Sequence, residues 1–148
     1  MQKAYRYSVL YFILFSLLLL GSSILLFEER IGFSYQEVLF YYQGNPEEFT
    51  CAKTASGLLK IILPHIFAFG LFVMVVLHFL VFTKLRDSKQ ISFIIYATFL
   101  ISAVELFIPF LIINGFEVFV YVKLFSFFIF EALIVYILWL LFSSILKH

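Results

Sequence analysis

Four residues carry binding or proton-transfer chemistry inside apolar stretches of the 148-residue chain: His65, His78, Glu105 and Glu131. One imidazole and two carboxyls, His65, Glu105 and Glu131, are a donor set for a divalent metal, a proton relay or a quinone head group. The two imidazoles suggest haem b. Thirteen helical steps separate them by about 20 Å, a spacing suited to two stacked haems, but leave them about 140° apart around the axis. A bis-histidine iron then needs a further ligand from another copy, another subunit or Met74. The structural alternative is that each histidine is hydrogen-bonded. The carboxyls would then be protonated by burial and bonded to neighbouring helices.

The elements that must position these residues follow from composition. The chain is 64% hydrophobic, 22% aromatic and 13% charged, with a formal net charge of +1. A globular domain carries roughly a quarter charged residues, so a water-facing surface is excluded, as is disorder. The near-zero net charge, with no basic patch, argues against nucleic acid as a partner. Four apolar runs stand out: Ser8 to Phe27, Ile61 to Phe82, Ile91 to Ile113 and Leu124 to Leu146. A bilayer core needs roughly 20 helical residues, and a spanning helix satisfies its own backbone. The expectation is an all-α integral membrane four-helix bundle, one domain over 1–148, with spans about 8–27, 58–83, 91–113 and 120–146.

Lys3 and Arg6 before the first run, with Gly21, Ser22 and Ser23 late in it, resemble a secretory signal. The apolar stretch continues through Ile24 to Phe27, so it reads as a retained span. Lys3, Arg6, Lys84, Arg86, Lys89 and Lys147 fall on one side with Asp87. Arg30, Lys53, Lys60 and Lys123 fall on the other, outnumbered by six glutamates. The positive-inside rule then places both termini and the 84–90 loop in the cytoplasm, and the 28–60 loop outside. By this reading only Glu105 and Glu131 remain inside the membrane, both about 10 to 12 Å below the outer boundary.

The outer loop carries its own signals. Ser34 and Glu37 fit a capping box, Val38 to Tyr42 a short helix at the membrane surface, and Gly44 its stop. Asn45-Pro46 reads as a turn, and Thr54 or Ser56 as the cap of the second span. The single cysteine, Cys51, excludes an internal disulfide or a dithiol redox pair. In the third span Thr98, Ser102, Glu105 and Pro109 recur at helical spacing and form one seam. Pro109 has no N–H for the Glu105 carbonyl, which leaves a free acceptor, or a kink, beside the carboxyl.

The stretch from Tyr42 to Phe49, then Lys53 to Leu59, Leu63-Pro64-His65-Ile66-Phe67 and His78-Phe79-Leu80 resembles small four-span bacterial inner-membrane proteins with two histidines in the second span. Some of these accompany cytochromes. The family pattern has a further histidine where this chain has Leu63. With the His65 and His78 pair, the acidic outer loop and a polar pocket of quinone size, the resemblance suggests a small membrane subunit of a respiratory or redox assembly, binding haem b or quinone through His65, His78, Glu105 and Glu131. Its partners would be the lipid bilayer, further copies or other membrane subunits, and a periplasmic electron carrier. The alternatives are a proton-coupled or metal-ion transport module using His65, Glu105 and Glu131, and a structural subunit without chemistry. No nucleophile–base pair is visible, so catalysis by the chain alone is not expected.

Overall fold

The computed structural model describes residues 3–81 and 89–146. Lys84, Arg86, Asp87, Lys147 and His148 lie outside the described residues. Five helices follow in order: α1 (Lys3–Arg30), α2 (Tyr35–Gln43), α3 (Ala55–Val81), α4 (Lys89–Ile113) and α5 (Phe119–Leu146). α1, α3, α4 and α5 are long and apolar enough to cross a membrane. The protein is therefore an all-helical, multi-pass membrane bundle, as the apolar runs predict. α1 extends past its apolar run at both ends, and α3, α4 and α5 begin two to six residues before theirs. Thr54 is the cap of α3: its hydroxyl accepts from the Gly57 N–H at 3.1 Å.

α5 lies at the centre and packs against α1, α2, α3 and α4. Each helix turns one stripe inward. On α1 the stripe is Val9, Ile13, Ser16, Leu20 and Phe27; on α4 it includes the predicted Thr98, Ser102, Glu105 and Pro109 seam. The outward faces are equally apolar, with Phe15, Leu25, Phe67 and Trp139 exposed. Lipid is as good a solvent for these side chains as the interior is. Packing, small residues and polar contacts therefore hold the helices together, rather than water exclusion.

α2 begins with the predicted capping box. The Ser34 N–H donates to Glu37 Oε2 at 2.9 Å and the Glu37 N–H to Ser34 Oγ at 3.2 Å. The Ser34 N–H, with a smaller contribution from the Ser34 hydroxyl, holds the exposed Glu37 carboxyl below its ordinary range. Gly44 ends the helix at φ +84°, and a Cβ there would meet the Thr50 carbonyl oxygen at 2.5 Å. A helix lying on the membrane surface would hold its tyrosines at headgroup level. Tyr42 instead points into the bundle with Val38, joining Leu58, Ile62, Ile108, Ile112 and Val120 in a compact apolar cluster. Gln43 Nε2 donates to the Ile112 carbonyl at 2.9 Å. That carbonyl, at the end of α4, also accepts the Gly115 N–H at 3.0 Å. α2 is thus a lid seated on one end of the bundle.

Candidate functional site

The polar interior lies below α2, and its geometry begins with Pro109. The missing proline N–H leaves the Glu105 carbonyl without its helical donor. Lys123 Nζ donates to that carbonyl at 3.2 Å and also to Glu105 Oε2. Ser126, one turn along α5, donates its hydroxyl to Glu105 Oε1. Both carboxylate oxygens and the freed carbonyl therefore have partners. The pair is deeply enclosed, with Glu105 5% and Lys123 7% exposed.

This corrects the assignment of Lys123 to the outer loop charges. α5 starts at Phe119, so Lys123 already lies in its second turn and turns inward. A signal for it was present. The short turn after Ile113 folds α4 and α5 back on each other, which sets Lys123 and Ser126 near the level of Glu105. The open carbonyl created by Pro109 called for a donor. Thr98 and Ser102 of the seam donate to the Ile94 and Thr98 carbonyls of their own helix at 2.7 and 2.6 Å. Their role in the seam is to be small.

Glu131 is 7% exposed and has different company. Ser23 of α1 bonds to its Oε1, and its Oε2 has no hydrogen-bond partner. It lies twelve residues into α5, roughly 18 Å along the axis, whereas Glu105 is eight residues from the end of α4, roughly 12 Å. The expected common depth was inferred from a later start of the fourth span. Tyr42 reaches down toward this region from α2. Its phenol is pushed up from its ordinary range by burial, with smaller contributions from Tyr41 and Glu105.

The histidines do not join the carboxyls. His65 and His78 are both exposed on α3. The predicted metal set of His65, Glu105 and Glu131 is therefore not assembled within one chain. Among the described residues no group of three His, Cys, Asp or Glu side chains is placed to hold a metal. Around the α3 axis His65 lies only about 20° from buried Leu58 and about 60° from buried Ile62, yet its side chain is exposed at the edge of that stripe, an outcome that apolar composition does not reveal. The His65 ring is still organised. Its Nδ1 lies 2.6 Å from the Ile61 carbonyl, which can only accept, so Nδ1 carries the proton. Phe69 packs edge-on to the ring at 6.2 Å.

A hollow of about 380 Å³ opens elsewhere, on the α2 side, lined by Arg30, Glu37, Glu48, Cys51 and Lys53 among others. It is distinct from the polar pocket expected around the carboxyls. Lys53 spans part of it with its ammonium 4.1 Å above the Tyr41 ring.

Residues 32–148 match the family model Aq_1264_TM, described as a transmembrane helical domain. The chain belongs to this family. The match takes in α2 to α5, and with them the lid, the Glu105–Lys123 pair and both span histidines. α1, which supplies Ser23, precedes the matched region of the Aq_1264_TM domain. No curated protein and no solved structure matches the chain.

Proposed function

We propose that this Aq_1264_TM protein is a membrane subunit of a respiratory or redox assembly, in which His65 meets a haem b or a quinone at the boundary with a neighbouring subunit. The observation that carries the reading is the His65 ring. It is exposed on α3, about one and a half turns inward from Lys60. A polar ring turned toward lipid is costly and normally has a partner. Proton donation from Nδ1 to the Ile61 carbonyl leaves the Nε2 lone pair for a ligand. This arrangement, with the second ring nitrogen anchored to a backbone carbonyl, is the usual support of a metal-ligating histidine. The same lone pair can accept a hydrogen bond from a quinol hydroxyl.

In this reading the Glu105–Lys123 pair fixes how α4 meets α5 and is not itself a ligand. His78 lies near the far end of α3 and serves a second contact. The orientation follows the positive-inside asymmetry, with the α2 lid outside a bacterial inner membrane and both termini in the cytoplasm. A periplasmic electron carrier would then approach the acidic lid side.

The test is the absorption spectrum and quinone content of the full chain purified from membranes with its partners. The expected result is a Soret band with extractable haem, or retained quinone, lost in His65→Ala while the protein still accumulates. Absence of both groups from the wild-type complex overturns the redox reading.

A further inference from the structure

Two carboxyls are buried in this bundle, and their hydrogen bonds assign them different protonation states. Ser126 and Ser23 stand in similar positions. Each has one hydroxyl proton and two acceptors in reach. Ser126 faces Glu105 Oε1 and the Lys123 carbonyl at 3.1 Å. Ser23 faces Glu131 Oε1 and the Leu20 carbonyl at 3.0 Å. At Glu105 the Lys123 ammonium balances the carboxylate, so Ser126 can give its proton to it. At Glu131 no cation is in contact among the described residues, and Oε2 has no donor.

An ionised carboxylate with one oxygen unpartnered, away from water and from any cation, is strongly disfavoured. A carboxylic acid resolves the arrangement. Its O–H donates from Oε1 to Ser23 Oγ, Ser23 donates on to the Leu20 carbonyl, and Oε2 becomes a neutral carbonyl oxygen. We propose that Glu131 is a membrane-embedded proton-binding site, loaded at neutral pH, whose release is prepared by Ser23. When the proton leaves, the Ser23 hydroxyl turns from the Leu20 carbonyl to the new carboxylate. Both states then keep a hydrogen bond without repacking.

The groups facing the site from each packed helix are few. α4 brings the Glu105 carboxylate within electrostatic range, and Lys123 on α5 is already engaged by it. α3 brings His65 only through Phe69, whose ring meets Phe130 at 5.1 Å. α1 brings the hydroxyl of Ser23 and no facing charge. Glu131 is therefore the loaded member, and Glu105 is the one paired with a cation.

The chemistry that recognises such a group is addition to a hydrophobic carbodiimide. The acid proton moves to a carbodiimide nitrogen, and the carboxyl oxygen forms a bond to the central carbon as one C=N becomes C–N. An O-to-N acyl shift then gives a stable N-acylurea, with no leaving group. The experiment is infrared spectroscopy of the full chain in lipid, with dicyclohexylcarbodiimide labelling read by peptide mass. At neutral pH one protonated-carboxyl C=O band is expected, downshifted in D2O. It should be absent in Glu131→Gln, retained in Glu105→Gln and shifted in Ser23→Ala. Labelling should reach one adduct per chain at Glu131, fall as the pH rises and vanish in Glu131→Gln. No protonated-carboxyl band in the wild type, or a band that survives Glu131→Gln, overturns the proposal. So does an adduct confined to Glu105. None of these readouts depends on haem or quinone.

Discussion

The two ends of the bundle are held together by different physics. Away from α2, the interior is aliphatic and aromatic. Val9, Val76, Leu80, Leu141 and Ile145 are buried together, and Phe12 lies between the Phe72 and Phe79 rings at 6.4 and 4.8 Å. Beneath α2 the interior combines an apolar cluster with a buried ion pair, a hydroxyl-bound carboxyl and a capped lid helix. In lipid the first kind of packing is tolerant, because a lipid chain can replace a lost contact. The second kind is exacting, because a lost partner leaves a charge or a carbonyl stranded. The difference implies that the α2 end fixes the register and rotation of α4 against α5, and the opposite end follows.

The sharpest way to break this comparison is to remove the cation. Lys123→Met should destabilise the protein by about 3–5 kcal/mol at neutral or alkaline pH, since it leaves Glu105 uncompensated and the Pro109-freed carbonyl without a donor. Equilibrium unfolding in detergent or bicelles measures it. The double variant Lys123→Met with Glu105→Leu should recover most of that loss, because an apolar pair of similar volume avoids the desolvation of both charges. A double variant no more stable than the single one would show that the pair does more than compensate itself.

At the opposite end Leu141→Ala should cost about 1–3 kcal/mol. This is below the usual range for soluble cores, because only packing and cavity contributions remain when lipid is the reference. A loss equal to that of Lys123→Met would erase the contrast between the two ends. Smaller again is Ser34→Ala, expected to cost about 1 kcal/mol as a lost helix cap. It should show as faster hydrogen exchange of α2 with little change in α3 to α5.

The smallest effect is that of pH on the lid. Ser34 holds Glu37 below its ordinary range, so the folded state favours the ionised form. The associated stability is present above the ordinary glutamate range and is lost as the pH falls through the lowered folded value. The protection of the α2 amides, exchange being corrected for its intrinsic rate at each pH, should fall over that acidic interval and stay constant there in Glu37→Gln.

Much of this was legible from local patterns. The four spans required only length and apolarity. The Ser34–Glu37 box, the Gly44 stop and the Thr54 cap each involve residues within one turn. The α4 seam was visible because Thr98, Ser102, Glu105 and Pro109 are small or polar at helical spacing. α1, α3 and α5 gave no comparable signal. Their inward and outward faces are both apolar, so the residues turned inward, Leu20 and Ile137 for example, look like those turned outward, Leu25 and Val135 for example. Lys123 was misplaced for a related reason: a lysine near a span end ordinarily extends toward the headgroups, and only its partner on another helix draws it in.

The sequence by itself determined that the chain crosses the bilayer four times, that a capped helix follows the first crossing, and that Pro109 opens a carbonyl next to a carboxyl. Each of these rests on neighbours in the chain and on the thickness of the membrane. The tertiary structure decided that Lys123 closes the open carbonyl, that Ser23 reaches Glu131 from α1, and that His65 is exposed. Those outcomes depend on the rotation of each helix about its axis. Where lipid and protein interior are equally apolar, that rotation is set by contacts between helices and leaves little trace in the hydropathy of any single one.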